Sequence, residues 1–281
     1  MGRRHYTRRS VESDVSLSRI LAVANQKGGV GKTTTVVSVA TNVALSGYRT
    51  LLIDLDPQGN ATTGLGVDPR NLESSSYNVL VQQLPISAAR VPTVVEGLDL
   101  VPSTLDLAGA EVELVPMFSR ELRLRSAISL VSSEYDYIFI DCPPSLGMLT
   151  VNSLAAATEV IVPLQCEYYA LEGLGQLLNN VGLVQDSLNA DLKVSSIVLV
   201  MFDARTRLAE QVAAEVREHF GDLVLQTVVP RSVRLSEAPS YGKPVELYDP
   251  SSTGAFAYRE VTKEIIAQQA IEPDIPSERS W

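Results

Sequence analysis

The sequence is poor in cysteine, contains no long apolar run and carries no surplus of positive charge. Its two cysteines, Cys142 and Cys166, sit in no CxxC or Cys/His spacing. That excludes a disulfide framework, offers no metal-ligand pattern and fits a reducing cytoplasm. No apolar stretch approaches the ~20 residues that a membrane-spanning helix needs. Lysine and arginine number 23 against 33 aspartates and glutamates, a net charge of −10. This balance argues against a protein that coats nucleic acid by bulk charge, and leaves room for a small basic patch. Glycine and proline, 17 and 15 in number, follow no period, which excludes fibrous repeats. What remains is globular material: 45% apolar and 20% charged residues in 281, enough for a well-buried core.

Residues 1–18 are polar and carry Arg3, Arg4, Arg8 and Arg9. The apolar stretch that follows, 20–24, is too short for the core of a signal peptide. The expectation is a disordered basic tail, with loose electrostatic attraction to DNA as the other reading. From Arg19 onward strand, turn and helix alternate. Apolar runs at 20–24, 50–54, 98–101, 137–141, 160–164, 196–200 and 224–229 read as seven strands. Helical patterns cover 33–45, 171–188 and 209–220. Continuous apolar strands alternating with helices imply a parallel sheet covered on both faces. The expected fold is therefore one doubly wound, mostly parallel α/β domain over residues 19–270, followed by a flexible tail at 271–281. Residues 68–120 are the least regular, because proline and glycine interrupt the pattern.

The strongest motif is Asn25-Gln-Lys-Gly-Gly-Val-Gly-Lys-Thr-Thr34, placed between the first strand and the first helix. Gly28, Gly29 and Gly31 permit a tight turn with inward N–H groups, and the helix N-terminus adds a partial positive charge for anionic oxygens. Lys32 is placed for the β- and γ-phosphates, and the Thr33 hydroxyl for Mg²⁺. Gln26 stands where the strict GxxxxGK[ST] pattern has its first glycine, and Lys27 is an additional lysine. Asp54 and Asp56 follow the second strand and Asp141 ends the fourth, where an open α/β sheet binds its ligands. Asp at such positions can hold Mg²⁺ or its waters. Basic residues also recur at Arg205, Arg207, Arg231, Arg234 and Lys243, interleaved with Asp203, Glu210 and Glu237. They read either as phosphate contacts for DNA or as a solvated surface of mixed charge.

Lys27-Gly-Gly-Val-Gly-Lys-Thr-Thr34 resembles the deviant Walker A motif of the ParA/MinD class of P-loop ATPases. Asp54-Leu-Asp-Pro-Gln-Gly-Asn60 resembles the second motif of that class, and residues 137–145 resemble its Walker B and second switch. Glu167-Tyr-Tyr-Ala-Leu-Glu172, Phe202-Asp-Ala-Arg-Thr206 and Pro230-Arg-Ser-Val-Arg-Leu-Ser-Glu-Ala-Pro239 resemble the chromosomal ParA (Soj) branch. The resemblance runs from about residue 19 to 268. It implies a slow Mg-dependent ATP hydrolase that acts as a switch in chromosome or plasmid segregation. ATP would join two subunits into a homodimer around two nucleotides. The dimer would bind double-stranded DNA without sequence preference, and a ParB-type centromere-binding partner would stimulate hydrolysis. It also implies a cytoplasmic, nucleoid-associated protein.

Residue by residue, the resemblance implies that Lys27 to Thr34 (Lys27, Gly28, Gly29, Val30, Gly31, Lys32, Thr33, Thr34) and Asp141 hold ATP or ADP. Lys27 would cross to the partner's phosphates, and Asp56 would orient the attacking water. Thr33, Asp54, Asp56 and Asp141 would support the metal. Asn60 and residues 143–147 would sense the γ-phosphate. Pro230 and Arg231 would lie near the adenine, and Arg205 and Arg234 would meet DNA. A MinD-like membrane-bound regulator needs a basic amphipathic C-terminal helix. Residues 267–281 are instead acidic and broken by Pro273 and Pro276. A metabolic enzyme on the same loop, such as an iron–sulfur reductase, an anion-pump ATPase or a small-molecule kinase, and a positioner of another cargo complete the alternatives.

Overall fold

Six of the seven expected apolar runs become strands, and each of the six is buried along most of its length. The structure, a computed structural model, describes residues 18–268. The two expected tails lie outside the described residues, apart from Ser18. The strands are β1 (Arg19–Val23), β2 (Thr50–Asp54), β3 (Val91–Pro92), β4 (Leu98–Val101), β5 (Tyr137–Asp141), β6 (Glu159–Gln165) and β7 (Lys193–Val200). They form one sheet in the order β3-β4-β2-β5-β1-β6-β7. All pairings are parallel except the two-residue edge strand β3, which runs antiparallel to β4. Pro92 gives that edge one donor fewer, as suits an outer strand.

The helices are α1 (Lys32–Leu45), α2 (Asn60–Gly64), α3 (Ser76–Gln82), α4 (Ile86–Ala89), α5 (Leu107–Glu113) and α6 (Arg123–Ser129), then α7 (Met148–Ala156), α8 (Ala170–Ser187), α9 (Arg207–Phe220), α10 (Val233–Glu237), α11 (Val245–Tyr248) and α12 (Thr253–Ala267). The period of two in the strands assigns each side chain to a face. Leu21, Val23, Leu52 and Phe139 pack with Val36 and Val43 of α1 and Val261 and Ile265 of α12. Ala22, Leu51, Ile53 and Ile138 point the other way, onto Leu124 of α6, Leu154 of α7, Leu174 of α8 and Val216 of α9. Both faces are thus covered, which is why the strands read as unbroken apolar runs.

The segment 224–229 departs from expectation. It makes only isolated bridges, Ile197 to Val224 and Phe202 to Pro230. Leu225 and Val229 still donate to the carbonyls of Ile197 and Leu199. Between them the carboxylate of Glu264 on α12 takes the amides of Gln226 and Thr227 at 2.7 and 2.9 Å. Arg217 on α9 takes the carbonyls of Leu225 and Gln226. Side chains from two helices therefore replace the middle of a ladder.

At the opposite end of the sheet from the loop after β1, Arg19 and Glu159 form a buried bidentate pair, with N···O distances of 2.7 and 2.6 Å. Arg19 also donates to the Ile265 carbonyl at 2.8 Å, tying α12 to β1. Replacing Arg19 by Ala leaves a buried carboxylate without its partner and is expected to cost about 3–5 kcal/mol. The denaturation midpoint in urea reports it. The double change Arg19→Met with Glu159→Leu should cost much less, and an unchanged midpoint for Arg19→Ala would contradict this role for the pair.

Candidate functional site

Strand β1 ends at Val23, and the chain turns through 24–31 into α1. Gly29 and Gly31 adopt φ of 75° and 77°, the left-handed region that penalises a side chain. Gly31 caps α1 without any side-chain bond, and the first turn carries no acidic residue. The helix thus presents a bare N-terminus to an anion. Lys32 is buried, and its Nζ donates to the Lys27 carbonyl at 3.3 Å. Burial lowers its pKa from the ordinary lysine value, against the opposing charges of Asp141, Cys142 and Asp56. Gln26, in place of the usual glycine, has a shielded amide nitrogen with no partner.

Lys27 behaves differently from Lys32. It is exposed, and its ammonium pairs with Glu167 just beyond β6. Of the two motif lysines, one faces the inside of the loop and one stands outside it.

The carboxylates gather where strand order brings them. β5 lies between β2 and β1, and Asp54 and Asp141 are directly in register. Both are fully buried. Asp54 is already engaged: it accepts from the Thr62 hydroxyl at 2.7 Å, the Thr62 amide at 2.9 Å and the Asp56 amide at 3.1 Å. Burial pushes its pKa up to about 6, with these hydrogen bonds opposing and the charge of Asp56 adding to the rise. Asp54 therefore fixes the loop between β2 and α2. Asp141 is different, for both of its oxygens are shielded from solvent and unpartnered. Burial, then the neighbouring charge of Asp54, raises its pKa well above the carboxylate range. Thr33 and Lys32 act the other way.

Two orphaned oxygens beside a threonine hydroxyl suit a hydrated divalent cation. Magnesium commonly takes one or two carboxylates and completes its shell with phosphate oxygens and water. Among the described residues no group of three or more His, Cys, Asp or Glu is arranged to hold a metal alone. Asp141 and Thr33 fit a metal that arrives with phosphates. Asp56 is only 8% exposed and lines the cavity over the loop, while its Oδ1 accepts the Gln58 amide at 2.9 Å.

Two cavities branch from the loop. One, of about 370 Å³, runs from Lys32 and Thr33 past Asp56 and Asn60 to Lys243. The other, of about 310 Å³, is walled by Met201, Pro230, Arg231 and Tyr258. Gly31, Thr34 and Met201 line both. Met201 holds φ of 51° without being glycine, local strain at the junction. Met201 and Tyr258 were missed by sequence reasoning. Neither lies in a phosphate motif; Met201 directly precedes the segment 202–206, and no motif pointed to Tyr258.

The basic residues do not form one set. Arg231 and Lys243 line the cavities. Arg205 is exposed but held by Asp203 at 2.7 Å. Arg234 is held by Glu237 at 2.8 Å and Asp249 at 3.3 Å. Arg207 opens α9, exposed, with no ion pair among the described residues.

A family model described as an AAA domain matches residues 18–194. The sporulation initiation inhibitor protein Soj of Bacillus subtilis (strain 168) is 55% identical over 251 residues, which span 89% of this chain and 99% of that protein. The chromosome partitioning protein ParA of Myxococcus xanthus (strain DK1622) is 51% identical over 264 residues, spanning 94% and 93%. The crystal structure of cobyrinic acid a,c-diamide synthase from Mycobacterium smegmatis with bound ATP analogue and magnesium is 41% identical, with a TM-score of 0.80, and covers 94% of this chain and 100% of that one. With the phosphate loop, the two in-register aspartates and identity of this degree along the whole domain, the chain belongs to the ParA/Soj family of chromosome-partitioning ATPases.

Proposed function

We propose that this chain is a Mg-dependent ATP hydrolase whose ATP-bound homodimer binds DNA without sequence preference and is released when a ParB-type partner stimulates hydrolysis. The observation that carries this reading is the division of labour between the two loop lysines. Lys32 lies inside the loop, buried beside Asp141. Lys27 stands outside, exposed, with Glu167 as its ion-pair partner. A lysine so placed can reach the phosphates of a second subunit, as an arginine finger does in trans. An isologous contact across a two-fold axis then supplies one such lysine to each site.

Within each site the bare N-terminus of α1 and Lys32 hold the β- and γ-phosphates. Thr33 and Asp141 hold the metal, which spreads the charge developing on the phosphoryl oxygens. Asp56, in the cavity wall, orients the attacking water. Asn60 and residues 143–147 frame the γ-phosphate end, and Pro230 and Arg231 shape the pocket for the base. The M. smegmatis structure with ATP analogue and magnesium supports ATP and Mg²⁺ as the ligands. The M. xanthus relative, a chromosome partitioning protein, supports the chromosome as cargo.

The alternatives fit less well. Burial pushes the Cys142 thiol up to about 12 and the Cys166 thiol up to about 11, unsuited to free-thiolate chemistry.

Four outcomes are expected. Replacing Lys32 by Ala should weaken ATP binding on the order of 100-fold, about 2.7 kcal/mol. Lys27→Ala should bind ATP normally as a monomer yet fail to dimerise with a non-hydrolysable analogue. Nucleotide titration and sizing chromatography separate the two, and equal defects in both variants would contradict the division of labour. Asp56→Ala should bind ATP, accumulate as dimer and turn over about 100-fold more slowly; normal turnover would remove Asp56 from its role. Arg234→Ala should leave dimerisation intact, weaken binding to unrelated DNA sequences alike, and reduce the slope of log affinity against log salt by about two units, one phosphate contact per subunit. An unchanged slope would count against Arg234 as a DNA contact.

A further inference from the structure

We propose that Asn25 is a positioning residue that aims Lys27 at the partner subunit; the proposal rests on the reading that Lys27 acts in trans. Strand β1 pairs with β6 at Leu21 to Glu159, Ala22 to Val160 and Val23 to Ile161. The Ala24 amide adds one more bond, to the Ile161 carbonyl at 3.1 Å. There the backbone of β1 leaves the sheet for the phosphate loop. The side chain of Asn25 continues the ladder in its place, with Nδ2 donating to the Pro163 carbonyl at 2.8 Å. Its other face turns to the loop, where Oδ1 accepts the Lys27 amide at 3.0 Å. One buried side chain thus locks the peptide of Lys27 to β6.

The carbonyl of Lys27 accepts from the Lys32 ammonium at 3.3 Å, so the residue is held at both its amide and its carbonyl. With its backbone held there, the Lys27 side chain lies exposed, outside the cavity lining, and pairs with Glu167. Hydrophobic residues of similar size lack both bonds, and aspartate lacks the donor and adds a charge beside the phosphates. Asn25 lines neither cavity, and its bond toward the loop goes to Lys27.

The test uses mixed dimers of full-length chains, combined before ATP is added. In all of them Asp56→Ala marks the subunit that cannot hydrolyse. The reference pairs Lys27→Ala, which keeps a competent site, with Asp56→Ala, which donates an intact Lys27. In the first test Asn25→Ala supplies the competent site and Asp56→Ala the lysine, and turnover should match the reference within about twofold. In the second, Lys27→Ala supplies the site and a chain carrying both Asn25→Ala and Asp56→Ala supplies the lysine. Turnover should then fall about tenfold, the scale of two lost hydrogen bonds. Carrying Asn25→Ser in place of Asn25→Ala on the donor chain should restore part of it, since a serine hydroxyl can still accept the Lys27 amide.

The opposite pattern, with the loss in the first mixture, would overturn the proposal by showing that Asn25 serves its own subunit's site. No loss in either mixture would overturn it too. A reference mixture without turnover would instead sink the trans role of Lys27, and the proposal with it.

Discussion

Three buried ionisable groups govern this molecule: the carboxyls of Asp54 and Asp141, side by side at the ends of neighbouring strands, and the amino group of Lys32 beside them. Burying a carboxyl raises its pKa and costs several kcal/mol unless partners compensate. Asp54 finds them in Thr62 and the amide of Asp56. Asp141 is left with the weaker help of Thr33 and Lys32, and Lys32 with one backbone carbonyl and the carboxyls beside it. The sheet order makes this unavoidable, for β5 is flanked by β2 and β1, and the loop after β1 folds over it. The free chain is therefore built around an electrostatic gap that a metal and phosphates complete.

The same arrangement links the site to its surroundings. Thr62, held by Asp54, accepts the Ser103 amide at the end of β4. The loop that carries Asp56 and Asn60 is thus anchored to the ends of two strands. On the other side, Tyr258 of α12 joins Thr35 of α1 by a buried bond of 3.0 Å while lining the second cavity. Asn25 ties the first residues of the loop to β6. The loop is held at its base, and its one exposed lysine rests on Glu167.

Much of this was legible because parallel strands buried on both faces leave continuous apolar runs, and a phosphate loop has few sequence equivalents. Residues 50–54 and 137–141 were placed to the residue. The failures share a cause, which is that they depend on contacts between parts remote in sequence. Residues 224–229 have the composition of a strand, but Glu264 and Arg217 claim their middle. Strand β3 is two residues long, beneath any periodic signal. That Arg234 and Arg205 would be paired at home with Glu237, Asp249 and Asp203, and that Lys27 would rest on Glu167, belongs to tertiary packing that no motif states. The resemblance supplied roles to residues, while the structure supplied which of them are free.

The central claim is that Lys27 leaves Glu167 of its own chain to engage the nucleotide of another. A crystal structure of the Asp56→Ala variant with ATP and magnesium tests it most directly. The account predicts a two-fold dimer in which each Lys27 ammonium lies within hydrogen-bond distance of the partner's phosphates, about 2.7–3.2 Å. A dimer with both nucleotides bound and each Lys27 still paired with Glu167 of its own chain would contradict it.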